Sequence, residues 1–255
     1  AARRMARAIL LGSAPTAKGE SLRGLDASDI RLGAAVPGTN ITVFDDALNK
    51  MRDELSYLYS TGTRYWYDTH PTLEKMARDR ASRIDDDAIY AETVNIVRKS
   101  ESTTSSGFGS VFCCPADGAE VPDEPICSLV IIPPTKTQGA NVNRSDALAY
   151  AADVLASRGG AMRSNRNMLL FVAMDGSDAH DTKDAIRRAL AWESIDSEAG
   201  VLELTSHAKG EAKSKLDIAS SRARRLVLGA YKHLICPSQS LDDIKNVIWD
   251  DVTVS

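Results

Sequence analysis

Tyr57-Leu58-Tyr59-Ser60-Thr61-Gly62-Thr63-Arg64-Tyr65-Trp66-Tyr67-Asp68 is the stretch on which the reading of the fold turns. Five of the fourteen aromatic side chains of the 255-residue sequence fall within it. Strand formers alternate, a small polar turn surrounds Gly62, and the alternation resumes, so a β-hairpin is predicted. Upstream, Leu48, Met51 and Leu55 recur at helical spacing over Asp45–Leu55, with Phe44 just before them. Downstream, Pro71 suits the first turn of another helix, where its missing N–H costs nothing. Leu73, Met76, Ala77, Ala81 and Ile84 continue that helix. Helix, aromatic hairpin, helix is the order in which a winged-helix module ends.

Earlier still, Ala1–Ser13 has a helical pattern with Met5, Ile9 and Ala8 on one face and Arg3, Arg4 and Arg7 on the other. A polar connector carrying Pro15, Gly19 and Gly24 follows. Asp26–Leu32 reads as a short helix capped by Asp26, and Pro37-Gly38-Thr39-Asn40 as a turn.

Beyond the hairpin, an amphipathic piece over Ala88–Val97 leads into the polar run Ser100–Gly107, read as an interdomain linker. Phe108–Cys114 and Cys127–Ile132 then read as strands around an acidic loop with three prolines. Ser145 caps a predicted helix to Arg158 with Leu148, Ala152 and Leu155 inward. Met168–Met174 is a continuous apolar run, as expected of a strand buried on both faces. Asp178 or Asp181 opens a helix to Trp192, with Ile186, Ala189 and Leu190 inward. Ser206–Tyr231 is helical with a highly charged outer face, and His233–Cys236 and Asn246–Val254 read as strands. Alternating strands and helices imply an α/β layer. The expected fold class is mixed α/β: a winged-helix-like module at 1–80, a helical bridge and linker at 81–107, and an α/β domain at 108–255 with a mostly parallel or mixed sheet.

The net charge of −4 argues against coating nucleic acid by bulk charge. Four cysteines without metal-ligand spacing imply a reducing cytoplasm, with Cys113 and Cys114 read as small buried hydrophobes. No apolar run approaches the length of a membrane helix, so no membrane partner is expected. The chain opens without methionine, inside a helical pattern, and is read as a piece of a longer polypeptide.

No G-x-x-x-x-G-K-[ST] loop occurs, so the chain has no P-loop of its own. Leu169–Asp175 superficially resembles a Walker-B strand, apolar residues ending in an acid. Any buried strand that exits into a turn gives the same pattern, and Gly176-Ser177-Asp178 is ordinary turn chemistry. Asp175, Asp178, His180 and Asp181 invite a metal reading, but capping in a polar loop is the plainer one. Contiguous acids at Asp85–Asp87 and Asp250-Asp251 read as solvated faces, and the four histidines lie far apart in sequence. No catalytic residue, metal ligand or cofactor is therefore assigned to this chain. If the helix and hairpin touch DNA, Lys50, Arg52 and Arg64 are the candidate contacts, although acids outnumber bases on the helix. Arg3, Arg4 and Arg7 are candidate contacts to a nucleotide or phosphate.

Several segments together resemble an AAA+-like P-loop ATPase family associated with prokaryotic anti-phage and restriction-like systems of the BREX and phage-growth-limitation type. They include Ala2–Pro15, Val36-Pro37-Gly38, Phe44–Leu48, Tyr57–Asp68 with Arg64-Tyr65-Trp66-Tyr67, and Pro71-Thr72-Leu73. They continue with Ala77–Ala81, Val121–Pro125, Arg166-Asn167-Met168-Leu169 and Ala189–Trp192. The resemblance implies a non-catalytic region downstream of the ATPase core, coupling ATP-driven change to partner proteins or DNA. It implies ATP and magnesium for the full-length protein, and partners such as a DNA methylase or helicase. The alternatives are a stand-alone winged-helix DNA-binding protein and a small α/β enzyme using the Asp175 loop.

Overall fold

In the computed structural model, residues 1–13, 24–38, 40–68, 71–101, 107–139, 145–239 and 247–254 are described. Pro15, Gly19, Thr39, His70, Asn246 and the centre of the expected linker, 102–106, lie outside them. The chain divides into two compact units, Ala1–Asp79 and Arg80–Ser255.

The first unit contains α1 (Ala2–Ser13), β1 (Leu25–Asp26), α2 (Ala27–Ala34), α3 (Thr42–Glu54), β2 (Leu58–Thr61) and β3 (Arg64–Tyr67). The three strands form an antiparallel sheet in the order β1-β3-β2. The hairpin has the register that its alternation requires, Leu58 opposite Tyr67 and Thr61 opposite Arg64. Gly62, with φ of 59°, makes the turn. Leu58 and Tyr65 enter the core, while Tyr59 and Trp66 stack as a cross-strand pair, ring centres 5.9 Å apart.

Met5 and Ile9 of α1, Ile30 of α2, and Phe44, Leu48 and Met51 of α3 complete that core. Phe44 lies within α3, one turn earlier than its sequence pattern suggests, and is almost fully buried. Asp26 caps α2 by accepting from the Ser28 amide at 3.0 Å. A side chain at Gly24 would meet the Tyr65 carbonyl oxygen at 2.3 Å, so β1 can approach β3 this closely only through a glycine.

The boundary between the units falls within α4 (Leu73–Ala81). The second unit continues with α5 (Asp86–Glu101), β4 (Ser110–Cys113), β5 (Ser128–Ile131), α6 (Asp146–Ala156), the short hairpin β6 (Ser157–Arg158) and β7 (Ala161–Met162), and β8 (Leu169–Met174). It ends with α7 (Ala179–Ser197), α8 (Ser206–Ala230), β9 (Tyr231–Gln239) and β10 (Val247–Thr253). Its five-stranded sheet has the order β10-β9-β8-β5-β4. β4, β5 and β8 run parallel, and β9 and β10 add antiparallel pairs. The protein is thus mixed α/β with a mixed sheet.

Both faces of this sheet are covered. Val130, Ile132, Phe171, Ala173 and Ile235 pack under α6. Ile131, Leu129, Val111 and Val172 pack under α5, α7 and α8. Successive strand residues point to opposite faces, so a strand covered on both sides must be apolar throughout. This accounts for the unbroken Leu169–Met174 run. The segment expected as a bridge contributes Ile89 and Val97 of α5 to this core. On α6 the buried stripe is Leu148, Ala151, Val154 and Leu155, while Ala152 is exposed. A step of 100° per residue carries Ala152 off the stripe. No helix among the described residues is long and apolar enough to cross a membrane.

Candidate functional site

Asp175 follows β8 at the carboxyl edge of the parallel strands, where α/β sheets commonly bind ligands. Its amide donates to the Ala230 carbonyl at 2.8 Å, and a parallel bridge ties it to Gln138 in the loop after β5. One carboxylate oxygen accepts from the Ser177 amide and hydroxyl, both at 2.7 Å. The other lies 2.8 Å from Lys232 Nζ and 3.3 Å from His233 Nε2. Lys232 Nζ also reaches Asp178 at 2.9 Å.

The network continues inward. His233 Nδ1 is 3.1 Å from each oxygen of Asp251. Asp251 also accepts from Gln138 Nε2 at 2.8 Å. Gln138, fully buried, accepts from the Ser145 hydroxyl, which in turn receives the Leu148 amide as the N-cap of α6.

Lys232, followed by the Ser177 hydroxyl, holds the Asp175 carboxyl well below the usual carboxylate range. Asp175 and Asp178 together raise the Lys232 ammonium. Both Asp175 oxygens are thus engaged by donors from its own chain. A carboxylate in that state serves as a clasp between the β8–α7 turn and β9. Two clefts among the described residues of this unit lie elsewhere. One, of about 460 Å³, is lined by Arg80, Arg83, Asp85, Leu190 and Ser194; the other, of about 350 Å³, lies between α5, α7 and α8.

The other acids and His180 of the Asp175 loop do not gather into one ligand set. His180 is exposed and pairs with Asp184 at 3.5 Å, while Asp178 shares Lys232 with Asp175. Among the described residues no three His, Cys, Asp or Glu side chains are grouped to hold a metal ion.

Lys50 and Arg52 are exposed on α3, beside Glu54 at 4.0 Å and Asp53 at 3.3 Å. Arg64, half-buried on β3, donates to the Gly24 carbonyl at 2.5 Å. Arg3 and Arg7 are exposed and Arg4 half-buried on α1, away from the Met5–Ile9 face.

Sequence reasoning missed three groups. Asp251 is not part of a solvated face, because strand alternation turns it inward beside Trp249 and toward His233. Arg163 is 3% exposed and donates to the carbonyls of Val154, Gly118, Val121 and Pro122 at 2.9–3.2 Å, fastening the proline-rich loop. Cys113 and Cys114, adjacent at the carboxyl end of β4, pack against the same core cluster. A dyad written as two adjacent cysteines was the only visible signal among these. Compared with protein-family models, curated proteins and solved structures, the chain has no match.

Proposed function

We propose that the chain is a non-catalytic coupling region of a longer P-loop ATPase of the defence-associated family it resembles. The observation that carries this reading is the state of Asp175. It stands where a nucleotide-hydrolysing acid would stand in an α/β sheet, yet Lys232, His233 and Ser177 occupy its oxygens. The sequence also lacks the glycine-rich loop and lysine that cradle nucleotide phosphates. ATP binding and hydrolysis then belong to another part of the full-length protein, with magnesium bound there.

The first unit fits a winged helix by its element order, helix-strand-helix-helix-strand-strand, and by its sheet order β1-β3-β2. Its role in this reading is to engage a partner protein such as a DNA methylase or helicase. The acidic neighbours of Lys50 and Arg52 favour a protein surface over duplex phosphate.

ATP hydrolysis by the chain with magnesium tests the proposal. Turnover at the background rate is expected. Turnover abolished by Asp175→Ala would overturn it in favour of an independent α/β enzyme. Salt-dependent duplex binding, weakened by Arg52→Ala and Arg64→Ala, would instead make the first unit a DNA reader.

A further inference from the structure

We propose that Cys113 and Cys114 are a dithiol modification site, oxidised to a vicinal disulfide by small-molecule disulfides of the glutathione class. This lies beyond the coupling role and does not depend on it.

The geometry begins with the end of β4. Consecutive residues of a strand point to opposite faces, so adjacent cysteines in a regular strand keep their thiols apart. Here the strand stops at Cys113, and Cys114 takes a φ of 52°. It is one of two non-glycine residues with positive φ among the described residues. A side chain in that region is strained and persists only where its surroundings hold it. The Cys114 amide is held by the Ile131 carbonyl at 2.9 Å, and the next residue by the Tyr150 hydroxyl, which donates to the Pro115 carbonyl at 2.6 Å. The turn breaks the alternation, so that both side chains pack against the same core, that of Ile131, Ala185 and Val227.

The surroundings give the two thiols different tasks. Its neighbour Cys114, and after it the charge of the Arg98 guanidinium on α5, lower the Cys113 thiol. Cys114 is pushed up, first by its neighbour Cys113 and then by burial. Its sulfur lies 4.0 Å from the Tyr231 hydroxyl and 3.9 Å from the Ile132 carbonyl. Both cysteines are half-buried, whereas Cys127 is exposed and has no adjacent cysteine.

The chemistry follows in two exchanges. The Cys113 thiolate attacks one sulfur of glutathione disulfide. That S–S bond breaks, one glutathione thiolate leaves and takes a proton, and Cys113 carries a mixed disulfide. Capping Cys113 removes the negative charge that opposed ionisation of Cys114. Cys114 then gives its proton to water and attacks the Cys113 sulfur, expelling the other glutathione. Two protein thiols are oxidised to one disulfide while one glutathione disulfide is reduced to two thiols. Adjacent Cα atoms stand about 3.8 Å apart, closer than the usual 4.4–6.8 Å of a disulfide. The bond is therefore strained and is returned readily to the dithiol by excess reduced glutathione.

The test uses the full chain carrying Cys127→Ser and Cys236→Ser, incubated with glutathione disulfide and read by intact mass and peptide mapping. The expected product has lost two hydrogens, with Cys113 linked to Cys114 and no glutathione retained. Adding Cys114→Ala should trap one glutathionyl group on Cys113. Adding Cys113→Ala instead should slow modification of Cys114 about tenfold or more. A stable glutathione adduct on the parent, or an unreactive pair, overturns the proposal. Phenylarsine oxide gives an independent readout that needs no folding-sensitive variant. One arsenic held by the parent, with release of one water, supports paired thiols; no retained arsenic overturns the pairing.

Discussion

Two places at the carboxyl edge of one sheet behave in opposite ways. At the end of β8, Asp175 has Lys232, His233 and Ser177 around it, and each charge of the cluster faces an opposite charge or a donor. At the end of β4, Cys113 and Cys114 have each other, one arginine and one tyrosine hydroxyl. The aspartate has the sequence pattern of a reactive acid, yet its own chain occupies it. The cysteine pair has the sequence pattern of apolar filler, yet under the proposed exchange it supplies the nucleophile. Position at the sheet edge is shared, so the difference lies in how completely the local partners use up each group. Saturated polar clusters hold structure together, and unsaturated ones react.

The contrast can be broken most directly at Asp251. Asp251→Ala leaves the buried Gln138 amide and the His233 ring without their acceptor. A loss of about 3 kcal/mol is expected, because truncating one partner of a buried polar pair strands the other. Urea unfolding should show it as a lower midpoint at unchanged slope. A loss below about 1 kcal/mol would mean that the cluster is not a closed clasp.

A smaller effect is expected from Tyr231→Phe, which removes the hydroxyl donor of the Ile132 carbonyl, 3.1 Å away. About 1 kcal/mol should be lost. The Cys113–Cys114 disulfide should still form, since the tyrosine is a neighbour of the dithiol and not a reactant.

The next effect is in pH dependence. Asp175 is depressed in the folded chain, so its contribution to stability is full above the unfolded carboxyl value and is lost as pH falls through the folded one. Lys232→Met removes the largest cause of that depression and should flatten the acid limb of the unfolding free energy against pH. An unchanged limb would assign the acid sensitivity to other carboxylates.

The smallest effect is expected at Asp26, a half-buried counterpart of Asp175 in the first unit. Its carboxyl is lowered to about 2 by the Thr63 hydroxyl and then by Ser28. The same sign places its contribution above about pH 4 and its loss between about 4 and 2. Asp26→Asn should remove that part of the slope for the first unit. A larger change than that of Lys232→Met would reverse the ranking of the two carboxylates.

The hairpin, its Gly62 turn, the α2 cap at Asp26 and the α6 cap at Ser145 were all legible in sequence. Each rests on residues within a few positions of one another, where propensity and hydrogen bonding act locally. The doubly buried β8 was legible for a related reason, since coverage of both faces leaves no polar position along the strand. The Asp175 clasp was not. It joins residues 138, 145, 175, 232, 233 and 251 by a sheet order in which β8 lies between β5 and β9. The inward turn of Asp251 is equally hidden, because two adjacent acids on a strand point to opposite faces and only the partner layer distinguishes them. Arg163 gave no warning either, since its four acceptors are backbone carbonyls that any residue would supply.

The sequence by itself determined most of the longer secondary elements, the mixed α/β class and the lack of a P-loop, because periodicity, caps and short motifs are properties of neighbours along the chain. Only the tertiary structure decided that Asp175 is neutralised and that Cys113 has an arginine beside it. Both outcomes depend on strand order and on helices crossing the sheet. Those place charges from distant segments within a few ångströms, where their fields set which group is bound and which is free to react.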